Sequence, residues 1–236
     1  MNIITFKGVA STTYPNIVVQ ELPPIIKPRQ RTDQYYIDGR PGIVTHELGY
    51  ESYPKPAKIA LINNDNLDAF LDWLNGKGEV IFSNEPDKVY LGSIIEQIDF
   101  NRYGRFKNAD NVTWLVYPYK YLVDEPAVEL ENFVDATIIN QGYIDSLPLF
   151  EIEATSPTTI SVNSIDVCTV ATSYTYYDVS IDSEEGGLVY QTSNSKLIYP
   201  GILSGAFPVL IPGNNTIKVS SPELIKASIK VRSRFI

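Results

Sequence analysis

The chain has 236 residues, of which 44% are hydrophobic and 20% charged, a globular composition long enough to bury a sizeable core. One cysteine, Cys168, excludes an intrachain disulfide, and with His46 as the single histidine most metal-site types and Cys/His catalysis lose their raw material. Nineteen basic against 28 acidic residues give a net charge of −9, unsuited to gripping nucleic-acid phosphates or anionic membranes.

The first residues, Met1-Asn2-Ile3-Ile4-Thr5-Phe6-Lys7-Gly8, alternate briefly and stop at Gly8, too short for a signal-peptide core and without a cleavage-site pattern. No apolar run approaches the roughly 20 residues that span a bilayer. A soluble protein made in the cytosol of its producing cell is the expectation. Ile17-Val18-Val19-Gln20-Glu21-Leu22 opens a strand that Pro23-Pro24 stops. Leu67, Phe70, Leu71 and Leu74 fall at i, i+3, i+4 and i+7, one apolar stripe of a helix. Asp65 or Asn66 supplies the N-cap oxygen, Asp68 adds first-turn negative charge, and Asn75-Gly76 ends the helix. Trp73 lies off the stripe by 100°, which predicts that it faces a second surface. Lys77-Gly78 leads into the strand Glu79-Val80-Ile81-Phe82, so the helix is expected to pack across a sheet. Val89-Tyr90-Leu91-Gly92-Ser93-Ile94-Ile95 and Val112-Thr113-Trp114-Leu115-Val116-Tyr117 have the β-branched and aromatic content that pleated surfaces favour, with Asn101-Arg102-Tyr103-Gly104-Arg105 as a turn between them.

Near residue 130 the texture shifts. Tyr117-Pro118-Tyr119-Lys120-Tyr121 runs into a linker at Asp124-Glu125-Pro126, and residues 131–236 hold 6 of the 19 basic residues. Phe150-Glu151-Ile152-Glu153, Thr159-Ile160-Ser161-Val162, Asp178-Val179-Ser180-Ile181, Leu188-Val189-Tyr190, Thr216-Ile217-Lys218-Val219 and Ser228-Ile229-Lys230-Val231 read as short strands. Turns at Asn163-Ser164, Gly186-Gly187 and Pro212-Gly213-Asn214-Asn215 separate them. This is the pattern of an antiparallel β-sandwich. Two domains are expected, 1–130 and 131–236.

No constellation carries credible catalysis. Glu151 and Glu153 alternate with Phe150 and Ile152, the pattern of a solvated strand face and not of two carboxylates facing across a cleft. His46, between Thr45 and Glu47, has no nucleophile elbow near it. Cys168, flanked by Val167, Thr169 and Val170, reads as a small buried hydrophobe. Asn63-Asn64-Asp65-Asn66-Leu67-Asp68 lacks the glycine and terminal glutamate of a calcium loop, and helix capping explains it better. Gly39-Arg40-Pro41-Gly42 lacks the lysine and spacing of a phosphate cradle and reads as a turn, with Arg40 free to pair with a carboxylate. Glu184-Glu185-Gly186-Gly187 is a charged hairpin tip. Tyr174, Tyr176 and Tyr177 could stack on a sugar, although alternating tyrosines are also ordinary sandwich surface and core. No metal or cofactor is expected, and a binding or structural role remains.

Several segments together resemble the distal tail protein of bacteriophages with long, non-contractile tails. Tyr36-Ile37-Asp38-Gly39-Arg40-Pro41-Gly42 is similar to the family's I-x-G-R-x-G, with Pro41 where the family carries an acidic residue. Trp73-Leu74-Asn75-Gly76-Lys77-Gly78 resembles its W-L-x-G-x-G unit, and Pro86-Asp87-Lys88-Val89-Tyr90 the strand that follows. The stretch from Val112 to Tyr121 matches the end of its first domain. Asn140-Gln141-Gly142-Tyr143 through Pro148, and Phe207-Pro208-Val209-Leu210-Ile211-Pro212-Gly213-Asn214-Asn215-Thr216-Ile217, resemble N-x-G-x-x-x-x-P and F-P-x-L-x-P-G-x-N-x-I of its second domain.

The resemblance implies a mainly β chain: a ring-forming first domain with one helix packed on a sheet, and a galectin-like antiparallel sandwich projecting outward from the ring. It implies a hexameric ring at the virion tail tip, assembled in the host cytoplasm. That ring joins the tail tube protein to the tail-associated fibre or lysin protein and carries baseplate or receptor-binding proteins. DNA passes its channel without specific binding, so the inner surface is expected to be neutral or acidic. Arginine and aromatic residues are common interface anchors, which makes Arg29, Arg31, Arg40, Trp73, Arg102 and Arg105 the candidate ring contacts. Two other readings exist. A carbohydrate-binding module aiding adsorption would use Tyr174 and Tyr176, and a cell-wall hydrolase would need a paired-carboxylate cleft.

Overall fold

Apolar–polar alternation builds antiparallel sheets along most of the chain, and among the described residues one α-helix joins them. The computed structural model describes residues 1–62, 67–103, 106–170, 176–184, 187–192, 196–197 and 202–236, and of 101–103, 106–111 and 196–197 the backbone alone. Two units result, Met1–Val123 with Ile236, and Asp124–Phe235.

The first unit contains β1 (Ile4–Phe6), β2 (Val9–Ala10), β3 (Ile17–Glu21), β4 (Gln30–Tyr35), β5 (Val44–Tyr50), β6 (Tyr53–Leu61), α1 (Leu67–Trp73), β7 (Lys77–Phe82), β8 (Lys88–Ser93), β9 (Asn101–Tyr103) and β10 (Phe106–Leu122). The main sheet runs β2-β1-β7-β8-β10-β6-β3, with β9 also on β10. The 17-residue β10 organises it, pairing β6 along its first part and β8 along its last, with a bulge on each side. β6 contains Pro54 and Pro56, a pattern that does not read as a strand. It survives because β3 pairs only residues 58–61 of β6, so neither proline breaks a ladder to a third strand.

The core of this unit is aromatic. Phe6, Phe82 and Trp114 meet edge to face, and α1 adds Phe70 and Trp73. The helix ends as expected. Leu74 donates its N–H to the Phe70 carbonyl, Asn75 to that of Asp72, and Gly76 takes φ +89, a conformation that favours glycine. The buried face includes Phe70 and Leu74 of the expected stripe but is turned toward Trp73 and away from Leu71. Trp73, expected to face a second surface, is 4% exposed, and its indole Nε1 donates to the Phe6 carbonyl at 3.1 Å. Leu71, expected on the buried stripe, is 37% exposed. A seven-residue helix buries whichever side its neighbours cover, and the large flat indole gains most from that side. The N-cap candidates Asp65 and Asn66 lie outside the described residues.

The second unit contains β11 (Val128–Glu129), β12 (Asp135–Asn140), β13 (Leu149–Ala154), β14 (Thr158–Val162), β15 (Ile165–Val170), β16 (Tyr177–Asp182), β17 (Leu188–Gln191), β18 (Lys196–Leu197), β19 (Leu203–Gly205), β20 (Gly213–Ser220) and β21 (Leu224–Lys230). One sheet runs β11-β21-β13-β16-β17-β18 and the other β12-β20-β14-β15-β19. Phe150, Ile152, Val179, Ile181 and Ile229 from the first sheet share one core with Ile160, Cys168, Val170, Ile217 and Val219 from the second. This is a two-layer antiparallel sandwich. Asn163 and Ser164 take φ 51 and 67, the two-residue turn expected between β14 and β15. Gly213-Asn214-Asn215, expected as a turn, instead opens β20 and pairs with the end of β12.

Candidate functional site

Strands β4 and β5 stand apart from the main sheet and, among the described residues, pair only with each other. The six residues of β4 span about 20 Å, and the hairpin tip extends further. Almost every side chain along it is exposed. Tyr35, Tyr36, Ile37, Ile43 and Leu48 are among the exposed large apolar residues, Tyr36 at 77%, and Ile25 and Ile26 continue the series toward the root. The tip is shaped by Gly39 and Gly42, at φ +80 and +89, and by the Arg40 N–H donating to the Ile37 carbonyl. The resemblance segment around Arg40 is therefore the tip of a projecting arm.

Arg29, Arg31 and Arg40 are exposed, all three belong to this arm, and among the described residues none forms an ion pair. The structure thus places these three candidates on one hairpin, Arg29 and Arg31 near its root and Arg40 at its tip. Trp73 does not join them. An indole held inside the aromatic core has no surface with which to anchor a partner, so it is withdrawn as an interface residue. Arg102 contributes its backbone to β9, with its side chain outside the described residues, and Arg105 lies outside them altogether.

The root of the arm is tied down by a buried charge cluster with no signal in the sequence. Lys55 is 0% exposed. Its Nζ lies 3.7 Å from Glu85, 3.3 Å from the Pro24 carbonyl and 4.3 Å from the centroid of the Tyr90 ring. Lys120 bonds the other Glu85 oxygen at 2.7 Å, and the Tyr90 hydroxyl donates to Glu85. Asn84 adds a hydrogen bond of 2.9 Å to the Pro23 carbonyl. The segment leaving β3 is thus held at two successive carbonyls. Across the base Glu51 N–H donates to the Arg29 carbonyl, and Tyr50 meets Tyr119 edge to face.

Burial pushes the Lys55 ammonium down to about 8, with the Glu85 charge only partly opposing. Burial pushes Glu85 up, but hydrogen bonds from Lys120 and Tyr90 and the two lysine charges outweigh it and hold the carboxyl below its ordinary range. Burial beside Glu85 raises Tyr53 to about 12 and Tyr90 higher still. One carboxylate satisfying two buried cations, with aromatic faces beside them, makes a rigid anchor.

The remaining candidates are dispersed. His46 is exposed on β5, opposite Asp33. Cys168 is buried in the sandwich core, and burial lifts its thiol to about 12, where it is inert. Tyr176 is 51% exposed, but its hydroxyl donates to Glu153 at 2.7 Å, while Tyr177 is buried and Tyr174 lies outside the described residues. Glu151 and Glu153 occupy the outward face of β13. Glu184 sits 3.5 Å from Arg232, which grips Asp182 with both guanidinium nitrogens, whereas Glu185 and Gly186 lie outside the described residues.

The resemblance segments of the second unit are scaffold. Asn140 donates to the Ile144 and Leu210 carbonyls and accepts from the Gly142 N–H. Asn215 accepts from the Ile211 N–H and donates to the Ile211 and Gly213 carbonyls. A side chain on Gly142 would stand 2.3 Å from the Arg234 carbonyl oxygen. Both asparagines therefore replace missing backbone partners where strands enter the sheet.

No family model matches the sequence, and no curated protein does. Solved structures do. The Dit protein of phage SPP1, described as a paradigm of the hub adsorption apparatus in phages infecting Gram-positive hosts, matches over 100% of both chains with a TM-score of 0.73 and 17% identity. The fold is that of a phage hub protein. The baseplate of phage P2, in its activated conformation with calcium, contains a chain that matches 98% of this one over 96% of its own length, with a TM-score of 0.52 and 9% identity. The strontium form of that baseplate gives the same values. At these identities the likeness is one of fold.

Proposed function

We propose that the chain is a structural, non-enzymatic hub component of a phage tail tip. Six copies close into a ring through the first unit, and the ring joins the tail tube to the fibre or lysin protein and to baseplate or receptor-binding proteins. The observation that carries this reading is the arm. A hairpin that among the described residues pairs with no other strand and whose arginines form no ion pair there, that carries exposed Tyr and Ile side chains and is anchored at its root by a buried ion cluster, is suited to contact another molecule. The full-length fold likeness to a hub adsorption protein supplies the setting.

A ring needs one patch to meet a different patch on the next copy, burying on the order of 1,200–2,000 Å² at each contact. An arm reaching beyond its own sheet supplies such an asymmetric contact. The acidic balance of −9 suits a conduit that must release the DNA passing through it. The place of action is the virion tail tip, reached by assembly in the host cytoplasm. Light scattering tests the reading. Replacing residues 36–43 by a two-residue turn is expected to reduce an oligomer to monomers without changing the melting of either unit. An oligomer that survives this deletion at unchanged affinity would remove the arm from the assembly.

A further inference from the structure

One sheet of the sandwich ends on β12, and among the described residues no strand pairs with its far side. Its six residues keep an unbroken register against β20, with no bulge, proline or lysine among them. Those are the devices that blunt an edge strand. The other sheet ends outside the arm either have them or are short. β2, β11 and β18 hold two residues each and β19 three. β3 carries a bulge, an ion pair between Glu21 and Lys58, and Pro23-Pro24 just beyond. The exposed row along β12 is apolar toward both ends. Phe133 and Ile139 are more than half exposed, and Tyr143 is 81% exposed. Phe133 also takes φ +60, a left-handed conformation that is costly for a bulky residue and that concentrates at binding surfaces.

Charge selects what fits there. Residues 121–195 contain thirteen acids and no lysine or arginine. Glu131 and Asp135 lie along this edge, exposed, and among the described residues neither forms an ion pair. Lys218, opposite Asp135, is the one cation of β20 in register with β12. We infer that the open edge of β12 accepts an extended basic segment of another protein as an added strand. The backbone of β12 supplies the hydrogen bonds, Phe133, Ile139 and Tyr143 cover apolar side chains of the segment, and the acids meet its lysines or arginines. A second copy of the sandwich is the wrong occupant. That unit holds fourteen acids against six bases, so two copies placed edge to edge repel. The inference rests on the proposed attachment of baseplate or receptor-binding proteins for the source of the segment, and it concerns the second unit alone.

Hydrogen exchange on the full chain tests this with an alternating Lys-Val peptide long enough to cover β12. The peptide should slow exchange within residues 135–140. The same peptide N-methylated at alternate residues should not, because it lacks the N–H groups that pair with a strand. An alternating Glu-Val peptide should bind about tenfold more weakly or worse. Thr137→Lys with Ile139→Lys changes two exposed side chains and should weaken the Lys-Val peptide by a similar factor, with the melting of the second unit unchanged. No binding of the Lys-Val peptide, protection confined to other residues, or equal protection by the N-methylated peptide overturns the added strand. Protection of 135–140 that rises with chain concentration in the absence of peptide makes a second copy the occupant and overturns the basic segment. None of these outcomes alters the ring, which light scattering reads through deletion of the arm.

Discussion

At the residue scale the first unit turns on Glu85. Among the described residues it is the only carboxylate within ion-pair reach of both Lys55 and Lys120. The two ends of that network are not equivalent. Removing Glu85 leaves two cations without their counter-charge, Lys55 fully buried. Glu85→Ala is therefore expected to lower the unfolding free energy by about 3–5 kcal/mol. Lys55→Met leaves the Lys120–Glu85 pair intact and removes a charge that burial disfavours, so its effect should stay within about 1 kcal/mol. Denaturant titrations giving equal losses for both would contradict this ordering. The cluster also sets a pH dependence with a definite sign. The folded pKa of Lys55, about 8, lies below its ordinary 10.5, so between those values the unfolded chain binds more protons and stability rises with pH. Tyr53 and Tyr90 are raised above their ordinary 10.0, so the folded chain holds protons the unfolded chain releases, and stability falls once the pH passes about 10. At the acid end the contribution of Glu85 is present above its ordinary 4.5 and is lost as pH falls through its lowered folded value. Both tryptophans, Trp73 and Trp114, lie in the first unit, so fluorescence melting reads this unit. The melting temperature should climb from pH 7 to 9 and drop above 10, and the climb should vanish in Lys55→Met. A flat profile between pH 7 and 9 would contradict the assignment.

At the element scale, what could be read in the sequence follows what is buried. The strands of the sandwich are legible because each offers one face to the core, as Phe150 and Ile152 do between Glu151 and Glu153. Strands β4 and β5 are illegible for the opposite reason. Gln30-Arg31-Thr32-Asp33-Gln34-Tyr35 has neither face buried, so no alternation marks it. Strand β6 hides behind its two prolines, and the buried Lys55 between them hides with it. The helix is readable in existence and end, and in phase except at one edge of its stripe. Phe70 and Leu74 of its stripe are buried as read, while packing against Phe6 buries Trp73 in place of Leu71. Of the candidate site, the arginines of the arm were within reach, and the hairpin presenting them and the cluster anchoring it were not. The phase has a measurable consequence. Trp73→Ala should destabilise the first unit by about 3–5 kcal/mol through the cavity it opens and the hydrogen bond it deletes. Leu71→Ala should change stability by less than about 1 kcal/mol. A guanidinium titration that reverses this order would return Trp73 to the surface and Leu71 to the core.

At the scale of the whole molecule, the two units share an antiparallel grammar and differ in what they expose. The second closes its sheets around one shared core and spends its buried asparagines on holding strand ends. The first closes its sheet around an aromatic core and then extends a polar hairpin tipped with apolar side chains away from it. Nothing in the stability of the first unit requires that hairpin, since its side chains add little to the core. Its exposure makes sense as half of a contact, and the anchored root keeps that half in one orientation before a partner arrives, which reduces the ordering cost of association. Electron microscopy of the full chain at high concentration, alone and with neighbouring tail components, tests this most directly. The expected result is a closed ring of six copies whose contacts run through the arm-bearing units. Monomers under both conditions, or a ring in which those units never touch, would contradict it.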